Sequence, residues 1–143
     1  SLIEKNQNLF SFVKYMIAFR KRHPAIRTDL PAGRFSFPSM SFHGIHPWEP
    51  VSDLESHVLC VLFSGFDKEQ QIQDTIYLAI NTHWEPVTLF LPDLPFEWNW
   101  HIAVNTGDPS RTIFQDTEMP PADHTVLLGE RSVILFVVKK RSV

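Results

Sequence analysis

The stretch Leu9-Phe10-Ser11-Phe12-Val13-Lys14-Tyr15-Met16-Ile17-Ala18-Phe19-Arg20-Lys21-Arg22-His23-Pro24 decides how the rest of the chain is read. Leu9, Phe12, Val13, Met16 and Ile17 fall at i, i+3, i+4, i+7 and i+8, one stripe of a 3.6-residue period, and Phe10 and Phe19 widen it. The spacing predicts a basic amphipathic helix over Leu9–His23. Asn6 or Asn8 offers a capping oxygen for its first turn, while Arg20, Lys21, Arg22 and His23 put positive charge at the negative end of the helix dipole. Pro24 forces the exit, because a residue before proline is pushed out of the helical region. An apolar face this wide has to be buried against something.

Everything after the helix reads as strand. Ser41–Ile45, Val58–Ser64, Ile76–Asn81, Val87–Leu91, Trp98–Asn105 and Val133–Val138 have strand length and composition, with weaker candidates at Phe35–Phe37 and Thr125–Leu128. This many short strands predicts an all-β fold, an antiparallel β-sandwich of Greek-key type, preceded by one N-terminal amphipathic α-helix. Residues 1–34 form the helix and linker, and residues 35–143 the sandwich. Alternation places Ile76, Leu78 and Ile80 on one face, and Trp98, Trp100, Ile102 and Val104 on one face. Asn81–Pro86 is short enough to join Ile76–Asn81 to Val87–Leu91 as a hairpin. Pro47–Ser56 and the polar Asp67–Asp74 read as loops, and Asn105–Asp123 as a long irregular excursion. No internal repeat or low-complexity tract is present.

The chain has 143 residues, enough to bury about two thirds of its unfolded surface without a disulfide or metal staple. With 43% hydrophobic and 20% charged residues it is globular in composition, and a formal charge of −3 gives no electrostatic footprint for nucleic acid. No stretch is long and apolar enough to span a membrane. The start of the chain lacks a signal-peptide pattern, which leaves a cytoplasmic protein or one whose leader has been removed. Cys60, the single cysteine, sits in the apolar run Val58-Leu59-Cys60-Val61-Leu62-Phe63 and reads as a packed hydrophobe, compatible with a reducing compartment.

Seven histidines raise the question of a metal. The best local set is His83 and Glu85 with His43, His46 or His101 as a third ligand, which would resemble the two-His, one-carboxylate site of a cupin-type oxygenase. Nothing in the spacing brings the third ligand close, and no metal or cofactor is assigned. There is no Gly-x-Ser-x-Gly elbow for a serine nucleophile. Glycosidase chemistry needs two carboxylates flanking the scissile bond, and the acids here, among them Asp53, Glu55, Asp67, Asp74, Glu85, Asp93 and Asp108, fall mostly in loops from which no pair can be selected. Of the four tryptophans, Trp98 and Trp100 belong to a strand and to the core. Trp48 and Trp84 stand in proline-bounded loops, where an aromatic face is free to stack on a sugar ring. His43 and His46 lie near Trp48 in sequence, so Trp48, Trp84, His43 and His46 are the candidate substrate contacts.

The segment Phe12 to Ile26, with its Arg20-Lys21-Arg22-His23-Pro24 ending, resembles the last barrel helix of glycogen-debranching and isoamylase-type enzymes of the α-amylase superfamily. The similarity continues through Phe42-His43-Gly44, through Asn81-Thr82-His83-Trp84-Glu85-Pro86-Val87 with the strand before it, through Val104-Asn105-Thr106, and into Arg131-Ser132-Val133-Ile134-Leu135. It covers nearly the whole chain in order. Phe42 stands where the family commonly has Trp, and Gly65–Asp74 matches poorly. The resemblance implies the C-terminal β-sandwich of a glycogen- or starch-debranching glycoside hydrolase, with the catalytic (β/α)₈ barrel as its partner and branched α-glucan as a further contact. The barrel's catalytic acids precede the last helix in that family, so no catalytic residue is assigned to this chain. A stand-alone carbohydrate-binding module and a cupin-like metalloenzyme are the alternatives. In the family the helix stripe faces the barrel; in this chain it is expected either to fold back on its own sandwich or, the favoured outcome, to pair with the same helix of a second copy in a homodimer.

Overall fold

Helix α1 spans Leu2–Arg22 in the computed structural model, which describes residues 2–33, 35–49 and 57–141. It begins well before Leu9, so Asn6 and Asn8 lie inside it and not at its start; Leu2 to Lys5 are competent helix residues that extend it toward the N-terminus. Its last turn carries Arg20, Lys21 and Arg22, and Pro24 opens a single 3₁₀ turn, Pro24–Ile26.

Seven strands follow among the described residues: β1 Met40–His43, β2 Val58–Asp67, β3 Ile72–Asn81, β4 Val87–Phe90, β5 Trp98–Asn105, β6 Thr125–Leu128 and β7 Ser132–Lys140. They make a five-stranded antiparallel sheet in the order β1-β2-β3-β7-β5 and a two-stranded sheet of β4 and β6. The expected hairpin across Asn81–Pro86 does not form. Both edges of β3 are taken, by β2 and by β7, so β4 crosses to the second sheet and pairs with β6. β2 and β3 also run further than their apolar residues suggest, with Asp67 paired to Ile72, which reduces the polar loop to residues 68–71. Polar side chains are accommodated there by bonding each other, as Ser64 and Thr75 do across the ladder at 3.0 Å. Phe35–Phe37 forms no strand; Phe35 instead sets its ring against Phe37 and edge-on to Trp98. Of the expected Pro47–Ser56 loop, residues 50–56, with Asp53 and Glu55, lie outside the described residues.

Alternation gives the large sheet two apolar faces. Val58, Cys60, Leu62, Tyr77, Ala79, Trp100, Ile134 and Phe136 meet Leu89 and Leu128 of the small sheet and form the sandwich core. On the opposite face Ile76, Ala103, Val104, Leu135 and Val137 are covered by Tyr15 and Phe19 of α1. A bulge between Ile102 and Val104 corrects the expected shared face of β5. Trp100 and Ile102 point to the sandwich core, and the extra residue at Ala103 turns Val104 over toward the helix.

The helix therefore docks on its own sheet, through a stripe one step round from the expected one. Tyr15 and Phe19 are buried, with Phe12 and Met16 beside them, whereas Leu9, Phe10, Val13 and Ile17 are exposed. Polar bonds fix the position. The Tyr15 hydroxyl donates to the Phe114 carbonyl at 2.6 Å, and the buried carboxylate of Asp74 on β3 takes His23 Nδ1 at 2.6 Å and the Ala25 N–H at 3.0 Å. The linker then crosses β2 so closely that a Cβ on Gly65 would lie 2.3 Å from Leu30 Cβ, which only glycine permits.

Candidate functional site

Both loop tryptophans leave the same end of the large sheet. Trp48 follows the end of β1 and Trp84 the end of β3, strands separated only by β2, whose start pairs with both ends: Cys60 with His43 and Val58 with Asn81.

Trp48 is an exposed indole on a strained backbone. Its φ of 66° is in the left-handed region, unusual for a bulky residue, and the side chain keeps 51% of its surface open to solvent. Three contacts among the described residues hold it. The Trp48 N–H donates to His43 Nδ1 at 2.8 Å, the two rings meet edge to face at 4.5 Å, and Phe37 lies 5.4 Å away on another side. Glu49 next to it is exposed.

His43 is placed differently from the open histidine the sequence suggested. It is fully buried at the end of β1, with Nε2 2.8 Å from Ser41 Oγ and its ring 5.6 Å from that of Tyr77. Because a backbone N–H can only donate, Nδ1 must accept, which places the ring proton on Nε2 and directs it to Ser41. Burial lowers the pKa of this histidine, which keeps it neutral, and burial pushes the neighbouring Cys60 thiol up to about 12. Both ring nitrogens are engaged inside the protein, so His43 acts on whatever Trp48 meets only through Trp48.

Trp84, 69% exposed, stands on a loop organised by a residue that the sequence reading passed over. Buried Asn81 donates through Nδ2 to the carbonyls of Glu85 at 2.9 Å and Gly129 at 3.1 Å, and its Oδ1 accepts the His83 N–H at 2.9 Å. The Asn-x-His-Trp-Glu motif is thus a brace for the loop; an asparagine ending a strand, two residues before a histidine in a short loop, was the available signal. The His83 ring meets Trp84 edge-on at 5.8 Å and lies 4.6 Å from His57.

His46 belongs to neither tryptophan. It stacks on Phe90 of β4 at 4.5 Å, with His124 on the same phenyl ring at 6.2 Å. The metal constellation is taken apart in the same way: His43 is in the core, His46 is on the small sheet, His101 bonds the Met119 carbonyl at 3.0 Å, and His83 Nδ1 accepts the Glu85 N–H at 3.2 Å. Among the described residues no three His, Cys, Asp or Glu side chains are grouped as a metal site.

These features have relatives. The chain is 27% identical over 126 residues to the chloroplastic isoamylase 1 of Oryza sativa subsp. japonica, a match that takes in 87% of this chain and 14% of that protein. The chain resembles the C-terminal region of an α-amylase-superfamily enzyme. Its fold is also that of part of two solved structures, an inactive double mutant of MutB with isomaltulose and a trehalulose synthase mutant, also of MutB, with Tris. Each is 20% identical with a TM-score of 0.50, and the match covers 91% of this chain and 18% of each of those. No family model matches. Among the described residues no helix is long and apolar enough to cross a membrane.

Proposed function

We propose that this chain is the C-terminal β-sandwich region of a glycogen- or starch-debranching glycoside hydrolase, whose catalytic (β/α)₈ barrel packs against it. In this reading residues 1–34 close the barrel and residues 35–143 form the supporting domain. The chain carries no catalytic acid of its own, and branched α-glucan, cleaved at α-1,6 bonds by the whole enzyme, touches it only at Trp48 and Trp84. A cytoplasmic setting fits the single buried, unpaired Cys60.

The observation that carries the reading is the second face of α1. One stripe of the helix is buried on its own sheet, yet Leu9, Phe10, Val13 and Ile17 remain exposed along the adjacent stripe. A helix apolar over so much of its circumference belongs between two bodies.

The test compares a Val13→Asp, Ile17→Asp double variant in two contexts. In the 143-residue chain the side chains are about half exposed, and the change should stay within about 0.5 kcal/mol. In the protein extended by its natural upstream sequence the same change should lower the melting temperature markedly, since each buried half adds roughly 1 kcal/mol and a charge is buried in its place. An extended protein indifferent to the variant would overturn the reading. Sedimentation of the short chain as a dimer that the variant dissolves would give the stripe to a second copy.

A further inference from the structure

Strain at an exposed aromatic is costly twice over. A left-handed backbone at a non-glycine residue and a large indole in water are each unfavourable, and they persist together only where the surroundings impose them. At Trp48, among the described residues, those surroundings are His43 and Phe37. His43 supplies the acceptor for the Trp48 N–H and a wall for its ring, while Phe37 closes the other side. The indole is thereby held in one orientation before any ligand arrives, the condition under which a single aromatic contact is worth most.

We propose that Trp48 is a pre-organised stacking platform for the apolar face of a pyranose ring, and that buried His43 is the positioning residue that presents it. This rests on the glycan reading above and assigns its contact to one place. An exposed carboxylate, Glu49, follows the platform in sequence and supplies an acceptor of the kind that sugar hydroxyls take. His43 does not touch the sugar. Its neutral ring is required because protonation would turn Nδ1 from acceptor into donor, pointed at another donor.

The groups facing His43 favour that neutral state. From its own strand comes Ser41, from β2 Cys60 and from β3 Tyr77, all of them neutral, with the Cys60 and Tyr77 pKa values both raised by burial. In its own loop His46 is turned onto Phe90 and Glu49 is exposed. Among the described residues no carboxylate pairs with the ring to hold a proton on it, in keeping with the lowering of its pKa by burial alone.

Maltoheptaose titrated into the ¹⁵N-labelled chain tests the assignment. The Trp48 indole and amide signals should shift and saturate, and Trp48→Asn, which tolerates the left-handed backbone but removes the ring, should abolish the response. His43→Ala should weaken binding about threefold to tenfold, the ordering cost of one immobilised side chain, and His43→Asn, which keeps an acceptor where Nδ1 was, should restore most of it. Because burial lowers the His43 pKa, binding by the wild type should hold as pH falls through the ordinary histidine value of about 6.5 and weaken only at lower pH, with no such loss in His43→Asn. A response at Trp84 with Trp48 unmoved would overturn the platform and leave glycan contact standing. No response anywhere at millimolar sugar would overturn both. Equal pH dependence in wild type and His43→Asn would remove the positioning role.

Discussion

Replacing Phe19 by alanine tests the docking of α1 most directly. Phe19 is 0% exposed, its ring tilted 4.3 Å from that of His23 and stacked 6.3 Å from that of Tyr15, and it packs into the cluster of Ile76, Ala103, Val104, Met119, Leu135 and Val137. Truncating a phenylalanine so enclosed costs about 3–5 kcal/mol, the transfer of the ring plus the cavity it leaves. A domain of this size has about 5–15 kcal/mol in all, so a large share of its stability would be lost. With a urea slope of about 2 kcal/mol per molar, the unfolding midpoint should fall by about 2 M. Ile17→Ala is the control: two positions away but 53% exposed, it should move the midpoint by no more than a few tenths molar. Urea unfolding followed by far-UV circular dichroism reads both. Equal effects for the pair, or a Phe19→Ala cost below about 1 kcal/mol, would show that the helix is not packed on this sheet, and the layer order described above would fall with it.

Asp74→Ala should cost about 2–3 kcal/mol in the same assay, because the His23 ring and the buried Ala25 N–H both lose a charged acceptor; a loss under 0.5 kcal/mol, the ordinary surface range of roughly that size, would count against the latch. Asn81→Ala should leave the His83 N–H and the Glu85 and Gly129 carbonyls short of a partner, destabilising by about 1–3 kcal/mol and raising hydrogen exchange at His83; unchanged exchange there would refute the brace. Cys60, buried with its thiol pushed up to about 12, should react with a thiol reagent at neutral pH only when the chain unfolds, so that its labelling rate tracks urea. Prompt labelling in native buffer would contradict its placement.

Elements that carry their own signal were legible in the sequence. Trp98–Asn105 has the bounds read from its alternation, and α1 ends where Pro24 requires. Pairings were not, because they depend on which edges are free: nothing within Val87–Phe90 reveals that β3 is flanked on both sides. The bulge at Ala103 was invisible for a related reason, since one inserted residue leaves the local alternation intact while reversing which core it serves. At the site, Trp48 and Trp84 announced themselves as large aromatics in loops. The opposed roles of His43 and Asn81 did not, because a buried polar residue that organises a loop has the same sequence signature as an exposed one that binds.

The helix itself was misread in a way that explains its use. Leu9, Val13 and Ile17 repeat every four residues, and so do Tyr15, Phe19 and His23; Phe12 and Met16 lie between the two rows. Centring the stripe on Leu9, Phe12, Val13, Met16 and Ile17, without Tyr15, hides the second row, though the tyrosine hydroxyl needs only the Phe114 carbonyl to be buried at no penalty. Two adjacent rows make a helix that one sheet cannot cover. The latch at Asp74 grips both the helix end and the turn after it, and Gly65 lets the linker lie flat on β2, so the described residues tie the helix to the sandwich at two strands. Any body seated on Leu9, Val13 and Ile17 is then fixed relative to the sheet and, through β1, to His43 and the indole it holds. In the proposed enzyme this rigid chain of contacts is what would keep the Trp48 platform at a constant distance from the catalytic barrel.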